Sequence, residues 1–397
     1  MNAAADDRIG IGMIGLGMAG AVMAPVIADH PHMRLVGACD LQPLVRSRFE
    51  QERALPTFDS VEALLALDAV EAVYIATPQQ FHALHALLAL QHGKHVVVEK
   101  PMASTLAECD AMIAAAEQTG ATLIVGHTHA FDPGVSAMRA LIASGEVGEP
   151  VLLNMFNYTN FLYRPRRPEE LDPARGGGVI WNQLPHQLDV ARIVVDRPIR
   201  SVRAATAALD PSRPVDGLVN AFVEFEGGAT AALIYSGYDR FDSDEWSDWI
   251  GSSGQQKEAA HGAALRALPR HPADELNTRR SAWSYGGEKM MPFPRKGLPH
   301  FGQMIVTCAR ADVRLTAHGL TVYDRNGVRE VTIHNDDARP SHVAVFDELW
   351  NAVRRGVRSV HDGRFSRATV EAGLAIAESA RVGAEVVLRA TGREVRA

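Results

Sequence analysis

The stretch Ile9-Gly10-Ile11-Gly12-Met13-Ile14-Gly15-Leu16-Gly17-Met18-Ala19-Gly20 decides the fold of the N-terminal half of this chain. It begins as an apolar run typical of a buried strand and continues into a helical pattern over Met18–Asp29. The glycines between them have the spacing GxGxxG. In this spacing the first glycine permits a tight turn, the second admits a pyrophosphate near the backbone, and the third allows close helix–strand packing. The residues predicted to contact a dinucleotide here are Gly15, Gly17, Met18, Ala19 and Gly20.

An acidic residue follows where a dinucleotide site needs one. Asp40 comes directly after the apolar run Leu35–Cys39, twenty residues beyond Gly20. A carboxylate there accepts hydrogen bonds from the ribose hydroxyls of adenosine and repels a 2′-phosphate, which favours NAD over NADP. Arg46 and Arg48 are near enough in sequence to leave NADP open. The alternative interpretation is that the glycines only form a tight turn and that Asp40 caps a helix.

From Ile9 to about Ala143 the chain alternates short apolar runs with helical segments, which predicts an α/β fold with a doubly wound parallel sheet. The segments His82–Leu90 and Thr105–Thr119 have the length of crossover helices. We therefore expect a dinucleotide-binding Rossmann domain over residues 1–145. Its predicted strands are Ile9–Ile14, Met33–Cys39, Ala69–Ala76, His95–Glu99 and Thr122–Gly126.

After Gly148 the pattern changes to strand-like runs, and Gly227-Gly228 is typical of a hairpin turn. We expect residues 146–397 to form an α+β domain with a large, mostly antiparallel sheet for substrate binding and oligomerisation. Residues 252–300 have weak periodicity and are predicted to form a long surface loop or flap. The predicted strands are Val151–Tyr158, Ser201–Ala207, Val219–Glu226 and Ala229–Tyr235, and the predicted helices are Trp181–Val194, Val343–Arg354 and Arg367–Leu388.

Composition excludes several classes of protein. A formal net charge of −7 over 397 residues argues against non-specific binding to nucleic acid or to an anionic membrane. Cys39, Cys109 and Cys308 are too few and too far apart for a disulfide framework, and they fit a reducing compartment. The N-terminus lacks the basic region of a secretory signal, and no apolar run reaches the roughly 20 residues of a membrane span. We therefore expect a cytoplasmic protein.

Two further motifs follow predicted strands: Thr77-Pro78-Gln79-Gln80-Phe81-His82 and Glu99-Lys100-Pro101. At the carboxyl ends of parallel strands they would lie beside a bound nicotinamide. Partial desolvation there lowers the pKa of an amine toward values useful in proton transfer, which makes Lys100 a candidate acid or base. The residues predicted to contact the cofactor here are Thr77, Pro78, His82, Glu99 and Lys100.

The whole set of motifs closely resembles the Gfo/Idh/MocA family of NAD(P)-dependent oxidoreductases, including Gly176-Gly177-Gly178 followed by Asn182 and His186. The resemblance implies that Lys100 and His186 are catalytic. The family usually has aspartate at the position of Asn182. Because asparagine can hydrogen-bond a hydroxyl but cannot act as a base, proton transfer should fall on Lys100 and His186. The resemblance also implies dimers or tetramers formed through the second domain's sheet.

Longer strings indicate a narrower group within the family. GHTHAFDP at residues 126–133 and the segment at 157–171 resemble dehydrogenases of aromatic cis-dihydrodiols, which implies an anionic diol substrate. Arg164 and Arg166 would project to one side of an extended segment and bind carboxylates as forked donors. Equally, this basic cluster could be a solvated turn neutralised by neighbouring acids. The predicted substrate-binding residues are His127, His129, Asn157, Arg164, Arg166, Asn182 and His186.

Three other interpretations stay open. His127 and His129 on a strand would place two imidazoles on one face and could bind zinc or iron, although without an obvious acidic or thiolate partner we expect no metal. A sugar or inositol dehydrogenase of the same family would not need the arginine cluster. A non-catalytic NAD-dependent sensor would bind cofactor without forming NADH.

Overall fold

The computed structural model describes residues 7–268, 272–290, 294–335 and 337–388, and these form two compact units. The sequence predicted one boundary after residue 145, whereas the first unit ends its N-terminal range earlier and takes in two later segments. The start of the chain, and residues 269–271 and 291–293 of the predicted flap, lie outside the described residues. The units lie within the ranges Met1–His127, Asn277–Pro292 and His342–Val370 for the first, and Thr128–Leu276, Phe293–Ser341 and Glu371–Ala397 for the second.

The first unit is built on a parallel sheet. Within the described residues its strands are β1 (Ile9–Ile14), β2 (Met33–Cys39), β3 (Thr57–Phe58), β4 (Ala72–Ile75), β5 (His95–Glu99) and β6 (Leu123–Gly126), and the helices among them are α1 (Met18–Asp29), α2 (Pro43–Arg53), α3 (Val61–Leu65), α4 (His82–Gln91) and α5 (Leu106–Thr119). The strand order is β3-β2-β1-β4-β5-β6. β1 is buried along its whole length, as expected for a strand covered on both faces. The predicted doubly wound sheet is confirmed.

Three strands of this sheet differ from the prediction, and β6 does so by one residue, since it begins at Leu123 rather than Thr122. β4 is shorter than the predicted Ala69–Ala76 because the amide of Val70 bonds to the carbonyl oxygen of Leu67 in a turn just before the strand. β3 has only two residues, which is too short to produce a periodic pattern.

The carboxyl ends of neighbouring parallel strands meet at one edge of this sheet. The glycine turn follows β1, Asp40 follows β2, Thr77 lies just beyond β4, and Lys100 directly follows β5. This edge therefore collects, within one unit, residues that the sequence predicted to bind a cofactor.

The second unit is built on a mostly antiparallel sheet, as predicted. Within the described residues its strands are β7 (Pro150–Tyr158), β8 (Ile199–Ala207), β9 (Leu218–Phe225), β10 (Thr230–Ser236), β11 (Gln303–Cys308), β12 (Ala311–Thr316), β13 (Gly319–Asp324), β14 (Gly327–Thr332) and β15 (Val386–Val387). Their order is β14-β13-β12-β11-β7-β10-β9-β8-β15. β7 and β10 are parallel, while β9 and β10 form the predicted hairpin around Gly227-Gly228. The remaining helices of the described residues, of which α11 lies mostly in the first unit and α10 and α12 are divided between the units, are α6 (Pro133–Ala143), α7 (Val179–Asn182), α8 (Leu184–Val195), α9 (Ala263–Ala267), α10 (Pro272–Ala282), α11 (Pro340–Arg355) and α12 (Gly363–Val382).

Two predicted helices differ from the structure by more than a few terminal residues. The predicted helix Trp181–Val194 is divided into α7 and α8, and Pro185 lies in the first turn of α8, where a missing N–H costs little. The predicted helix Arg367–Leu388 instead ends at Val382, because Gly383 takes a left-handed conformation with φ +68° and the chain then pairs with β8. Among the helices in the described parts of the chain, none has the length and apolar character to cross a membrane.

The predicted flap is partly helical, since α9 and α10 lie within it. Glu275 of α10 is buried with its side chain 4 % exposed. Its carboxylate accepts a hydrogen bond from Nη2 of Arg213 at 2.7 Å and from the amide of Arg166 at 3.0 Å. This segment is therefore held to the second unit by a buried ion pair and is not a free surface loop.

Replacing Glu275 by alanine should lower the free energy of unfolding by about 3–5 kcal/mol, because it leaves the buried Arg213 guanidinium without its carboxylate. Asp274→Ala is the matched control, since Asp274 is exposed and next to it on the same helix. Urea unfolding of both variants measures the difference. Equal stability of the two variants would contradict a structural role for this ion pair.

Candidate active site

The glycine turn after β1 combines a packing requirement with a ligand requirement. A Cβ on Gly20 would lie 2.2 Å from the carbonyl oxygen of Gly15, so a larger residue would force α1 away from the turn. A Cβ on Gly17 would meet no atom of the described residues within 4 Å. Packing therefore requires glycine at position 20, whereas position 17 faces open space that a pyrophosphate can use.

Asp40 lies at the same turn. Its carboxylate accepts hydrogen bonds from the amides of Leu16 and Gln42, each at 2.8 Å. The first bond brings the acid to the glycine turn. The second reaches the residue before α2, whose N-cap is Gln42, so Asp40 is not the cap of that helix. An ionised carboxylate has further acceptor positions for ribose hydroxyls. Arg46 donates to the backbone carbonyl oxygen of Asp40 at 2.7 Å.

A late segment of the chain completes this turn. The amide of Tyr285 donates to the carbonyl oxygen of Leu16 at 3.0 Å. The Tyr285 hydroxyl accepts a hydrogen bond from Nε of Arg53 at 2.8 Å, and its ring packs 5.2 Å from that of Phe49. Sequence analysis missed this contact, because residues 252–300 carried no periodic signal and Tyr285 lies far from the turn in sequence.

His82 connects the two motifs that follow β4 and β5. Its Nε2 lies 2.9 Å from the carbonyl oxygen of Thr77, and its Nδ1 lies 2.8 Å from that of Pro101. Burial lowers the pKa of His82 to about 4, against the two backbone hydrogen bonds, which raise it. In this unit His82 therefore sets the position of the Lys100 segment relative to the Thr77-Pro78 segment.

Glu99 holds the backbone of Lys100. Oε1 of Glu99 accepts a hydrogen bond from the Tyr74 hydroxyl at 2.5 Å, and Oε2 accepts one from the amide of Lys100 at 3.3 Å. Burial raises the pKa of Glu99 and that of Tyr74 above their ordinary values. The backbone of Lys100 is thus hydrogen-bonded to Glu99, which forms a buried pair with Tyr74 in the core of the sheet.

The second unit holds a separate cluster of rings. Nδ1 of His129, in the 3-10 turn Thr128–Phe131, lies 2.8 Å from Oδ2 of Asp132. The His129 ring stands edge-on to that of His186 on α8, with centroids 4.9 Å apart. Phe301 packs against His129 at 4.8 Å and against His186 at 4.6 Å. The structure therefore brings together two of the histidines predicted to bind substrate.

The two predicted asparagines make contacts within the protein. The side-chain amide of Asn182 donates to the carbonyl oxygen of Gly178 at 2.9 Å, beside the glycine run. Asn157 is buried on β7, and its Oδ1 accepts a hydrogen bond from the Ser243 hydroxyl at 3.3 Å. These contacts position the surrounding loops, and substrate binding by either asparagine stays a prediction.

The Arg166 side chain is buried, and its guanidinium is not directed outward as a bidentate donor for a carboxylate. Its Nε and Nη2 donate to the carbonyl oxygen of Phe161 at 3.0 and 2.5 Å, and its Nη1 lies 3.6 Å from Glu170. The guanidinium also lies 3.7 Å above the Phe161 ring. This geometry argues against the predicted role of Arg166 in binding a carboxylate. Arg164 is exposed and donates from Nε to Asn160 at 2.7 Å, so it is the better candidate of the two.

The predicted pairing of His127 with His129 on one strand face is wrong, because β6 ends at Gly126 and His129 lies in a 3-10 turn. His127 is buried, and its ring lies 6.3 Å from that of His361 in the same unit. Among the described residues, no group of three or more His, Cys, Asp or Glu side chains is arranged to hold a metal ion.

Two family models match the chain. One, described as an oxidoreductase family with an NAD-binding Rossmann fold, matches residues 9–127, and the GFO/IDH/MocA C-terminal domain matches residues 135–255. A curated relative, the 1-carboxy-3-chloro-3,4-dihydroxycyclohexa-1,5-diene dehydrogenase of Comamonas testosteroni, is 37% identical over 384 residues, which cover 94% of each chain.

Solved structures share the fold. A protein from Bordetella bronchiseptica RB50, described only provisionally as a dehydrogenase, superposes with a TM-score of 0.91 at 43% identity, covering 96% of this chain and 100% of that one. An oxidoreductase from Agrobacterium radiobacter, solved with NAD+, L-tartaric acid and magnesium, has a TM-score of 0.72 at 18% identity, covering 96% and 98%. At that identity the second likeness concerns the fold alone.

Replacing Gly17 by alanine should weaken NAD binding without lowering stability, because the added methyl group enters space that the protein leaves open. We expect the Kd for NAD to rise about tenfold, or ~1.4 kcal/mol. The matched variant Gly20→Ala should instead lower the melting temperature, because its Cβ would overlap the Gly15 carbonyl oxygen. Calorimetric titration and thermal unfolding separate the two effects. Unchanged NAD affinity in Gly17→Ala would refute this assignment.

Proposed function

This chain belongs to the Gfo/Idh/MocA family of NAD-binding oxidoreductases, and we propose that it oxidises an aromatic cis-dihydrodiol acid. The observation that carries the proposal is the likeness, over 94% of both chains, to a dehydrogenase named for a carboxylated ring with two neighbouring hydroxyls. The strings GHTHAFDP and NYTNFLYRPRRPEEL further resemble phthalate 4,5-cis-dihydrodiol dehydrogenase. We therefore propose phthalate 4,5-cis-dihydrodiol as the substrate and 4,5-dihydroxyphthalate as the product.

The proposed reaction removes a hydride and a proton from one carbinol centre. When bound, NAD+ accepts the hydride from the carbon that bears the oxidised hydroxyl. The proton of that hydroxyl passes to Lys100 or His186, which are the basic residues of the family's motifs. The ketone formed in this way tautomerises: the neighbouring carbon loses its proton and the ketone oxygen gains one, which gives the catechol, and aromatisation drives the overall reaction.

The frame around Lys100 supports its role as the base. The lysine directly follows β5, its amide bonds to buried Glu99, and the adjoining Pro101 contacts His82. A backbone held in this way limits the positions that the amine can reach, which favours reaction with a substrate in one orientation. A role for His186 in substrate binding is proposed from the family resemblance, and this residue lies beside His129.

The carboxylates of the proposed substrate would be stabilised by a cationic side chain, and Arg164 of the second unit is the candidate. Arg164 is exposed in the segment after β7 and is held by one hydrogen bond to Asn160, so much of its fork is available to an anion. Asn182 in place of the family's usual aspartate also removes a negative charge that would repel such a substrate. We propose that these two features select an anionic ring over a neutral polyol.

We further propose that the protein is a homo-oligomer joined through one face of the second unit's sheet. Phe222 and Ile305 project from this face with 49% and 38% of their surfaces exposed. The strand register places them in one row, with Ala232 and Asn154 between them. Exposed apolar residues in the middle of a wide sheet are typical of a protein–protein interface.

The function is tested by NADH absorbance with phthalate cis-dihydrodiol and with myo-inositol, each with NAD and NADP. We expect NADH from the dihydrodiol with NAD, and Lys100→Ala should lower kcat by about 10²–10⁴-fold. Lys94→Ala is the matched control, since Lys94 precedes the same strand and its amine bonds to the Val70 carbonyl oxygen. NAD binding without NADH formation from any diol would identify a sensor instead.

The same assay separates the anionic substrate from a neutral one. If the proposal holds, Arg164→Ala raises KM for the dihydrodiol and leaves kcat nearly unchanged, because an ionic contact is lost from ground and transition states alike. Arg167→Ala serves as the control from the same segment, as its guanidinium faces Glu169 and Glu170. Faster turnover of myo-inositol, unaffected by Arg164→Ala, would favour the polyol dehydrogenase.

The oligomer is tested by light scattering after size-exclusion chromatography. We expect the wild type to have at least twice the chain mass and Phe222→Asp to shift toward the monomer, because a carboxylate buried in an interface is costly. Leu209→Asp is the control, since Leu209 is 51% exposed but lies outside the sheet. A monomeric wild type would exclude this interface.

A further inference from the structure

We propose that Asp132 and Ser341 are positioning residues that orient His129 to accept a hydrogen bond from the second hydroxyl of a vicinal diol. This inference rests on the proposed function and deepens it, since it assigns the choice of diols over single alcohols to one imidazole. All the residues concerned lie in the second unit.

The carboxylate of Asp132 is held from two sides. It is 1% exposed, its Oδ2 lies 2.8 Å from Nδ1 of His129, and its Oδ1 accepts a hydrogen bond from the Ser341 hydroxyl at 2.5 Å. An ionised carboxylate only accepts hydrogen bonds, so Nδ1 of His129 must carry the proton. In the neutral ring, Nε2 therefore carries the lone pair.

The position of Asp132 in the fold gives a second argument. Asp132 is the N-cap residue of α6, where an aspartate normally accepts a hydrogen bond from an amide in the first helical turn. Its side chain makes no such bond here. The carboxylate bonds to His129 and Ser341 instead. It therefore orients the His129 imidazole and does not stabilise the start of α6.

The surroundings of His129 suit a ligand with a flat ring. The His129 side chain is 17% exposed, in contrast to buried Asp132 behind it. Its ring stands edge-on to His186 at 4.9 Å and packs against Phe301 at 4.8 Å. The two imidazoles are neighbours, so under this proposal one hydroxyl of a vicinal diol contacts His186 and the adjacent hydroxyl contacts His129.

The test compares two stable product-like ligands, 4,5-dihydroxyphthalate and 4-hydroxyphthalate, by calorimetric titration of the NAD-loaded protein. We expect the wild type to bind the dihydroxy compound about tenfold more tightly, the value of one hydrogen bond. His129→Ala and Asp132→Asn should bring this ratio close to one. Asp312→Asn, at an exposed aspartate of the same unit, should keep the wild-type ratio.

A tautomer measurement separates orientation from a merely structural effect. In ¹⁵N NMR spectra we expect the proton of neutral His129 on Nδ1, and in Asp132→Asn we expect it on Nε2, because the new amide can donate to Nδ1. Ser341→Ala is the milder variant should Asp132→Asn fail to fold, and it should reduce the binding ratio partially. The His129→Ala spectrum assigns the signals.

The outcomes are distinct. A wild type that binds neither ligand and forms no NADH would refute the proposed function, while the tautomer still reports on the Asp132–His129 contact. A wild type that prefers the dihydroxy ligand, with the ratio unchanged in His129→Ala and Ser341→Ala, would overturn this inference alone. A wild-type proton on Nε2 would overturn it as well.

Discussion

The close approach of α1 to the turn before it is the constraint on which the first unit's cofactor edge depends. Because position 20 has no side chain, the first turn of α1 lies against the carbonyl of Gly15. The amide of Leu16 then reaches the carboxylate of Asp40, and its carbonyl accepts the amide of Tyr285. One missing Cβ thereby sets the positions of a strand end, a helix start and an acidic residue together.

The parts of the fold that depend on local pattern could be predicted from the sequence. β1, β2 and β5 begin and end as predicted, because each is an apolar run bounded by residues that favour turns. Strand β3 is too short for any periodic signal. Helix α10 has only weak periodicity, because Glu275 is one of its buried residues, and a charged residue is buried only when a partner such as Arg213 is supplied from elsewhere in the chain.

The candidate site shows the same division. Motifs and family resemblance singled out Lys100 and His186, and their roles stay predictions. Contacts between distant parts of the chain could not be derived: Asp132 and Ser341 are 209 residues apart, and nothing local shows that one side chain bonds to the other. The burial of Arg166 also could not be predicted, because a basic run in sequence does not reveal which of its guanidinium groups the tertiary structure covers.

The contact between Tyr285 and the glycine turn also affects how the chain folds during translation. The first unit needs this late segment, and it needs α11 as well, whose Phe346 ring packs 6.1 Å from that of Tyr74. At roughly 5–20 residues per second, a ribosome adds these parts on the order of ten seconds or more after the N-terminal strands emerge. In that interval the apolar residues that these later segments cover, such as Tyr74, are exposed, so a chain that ends near residue 145 is expected to aggregate.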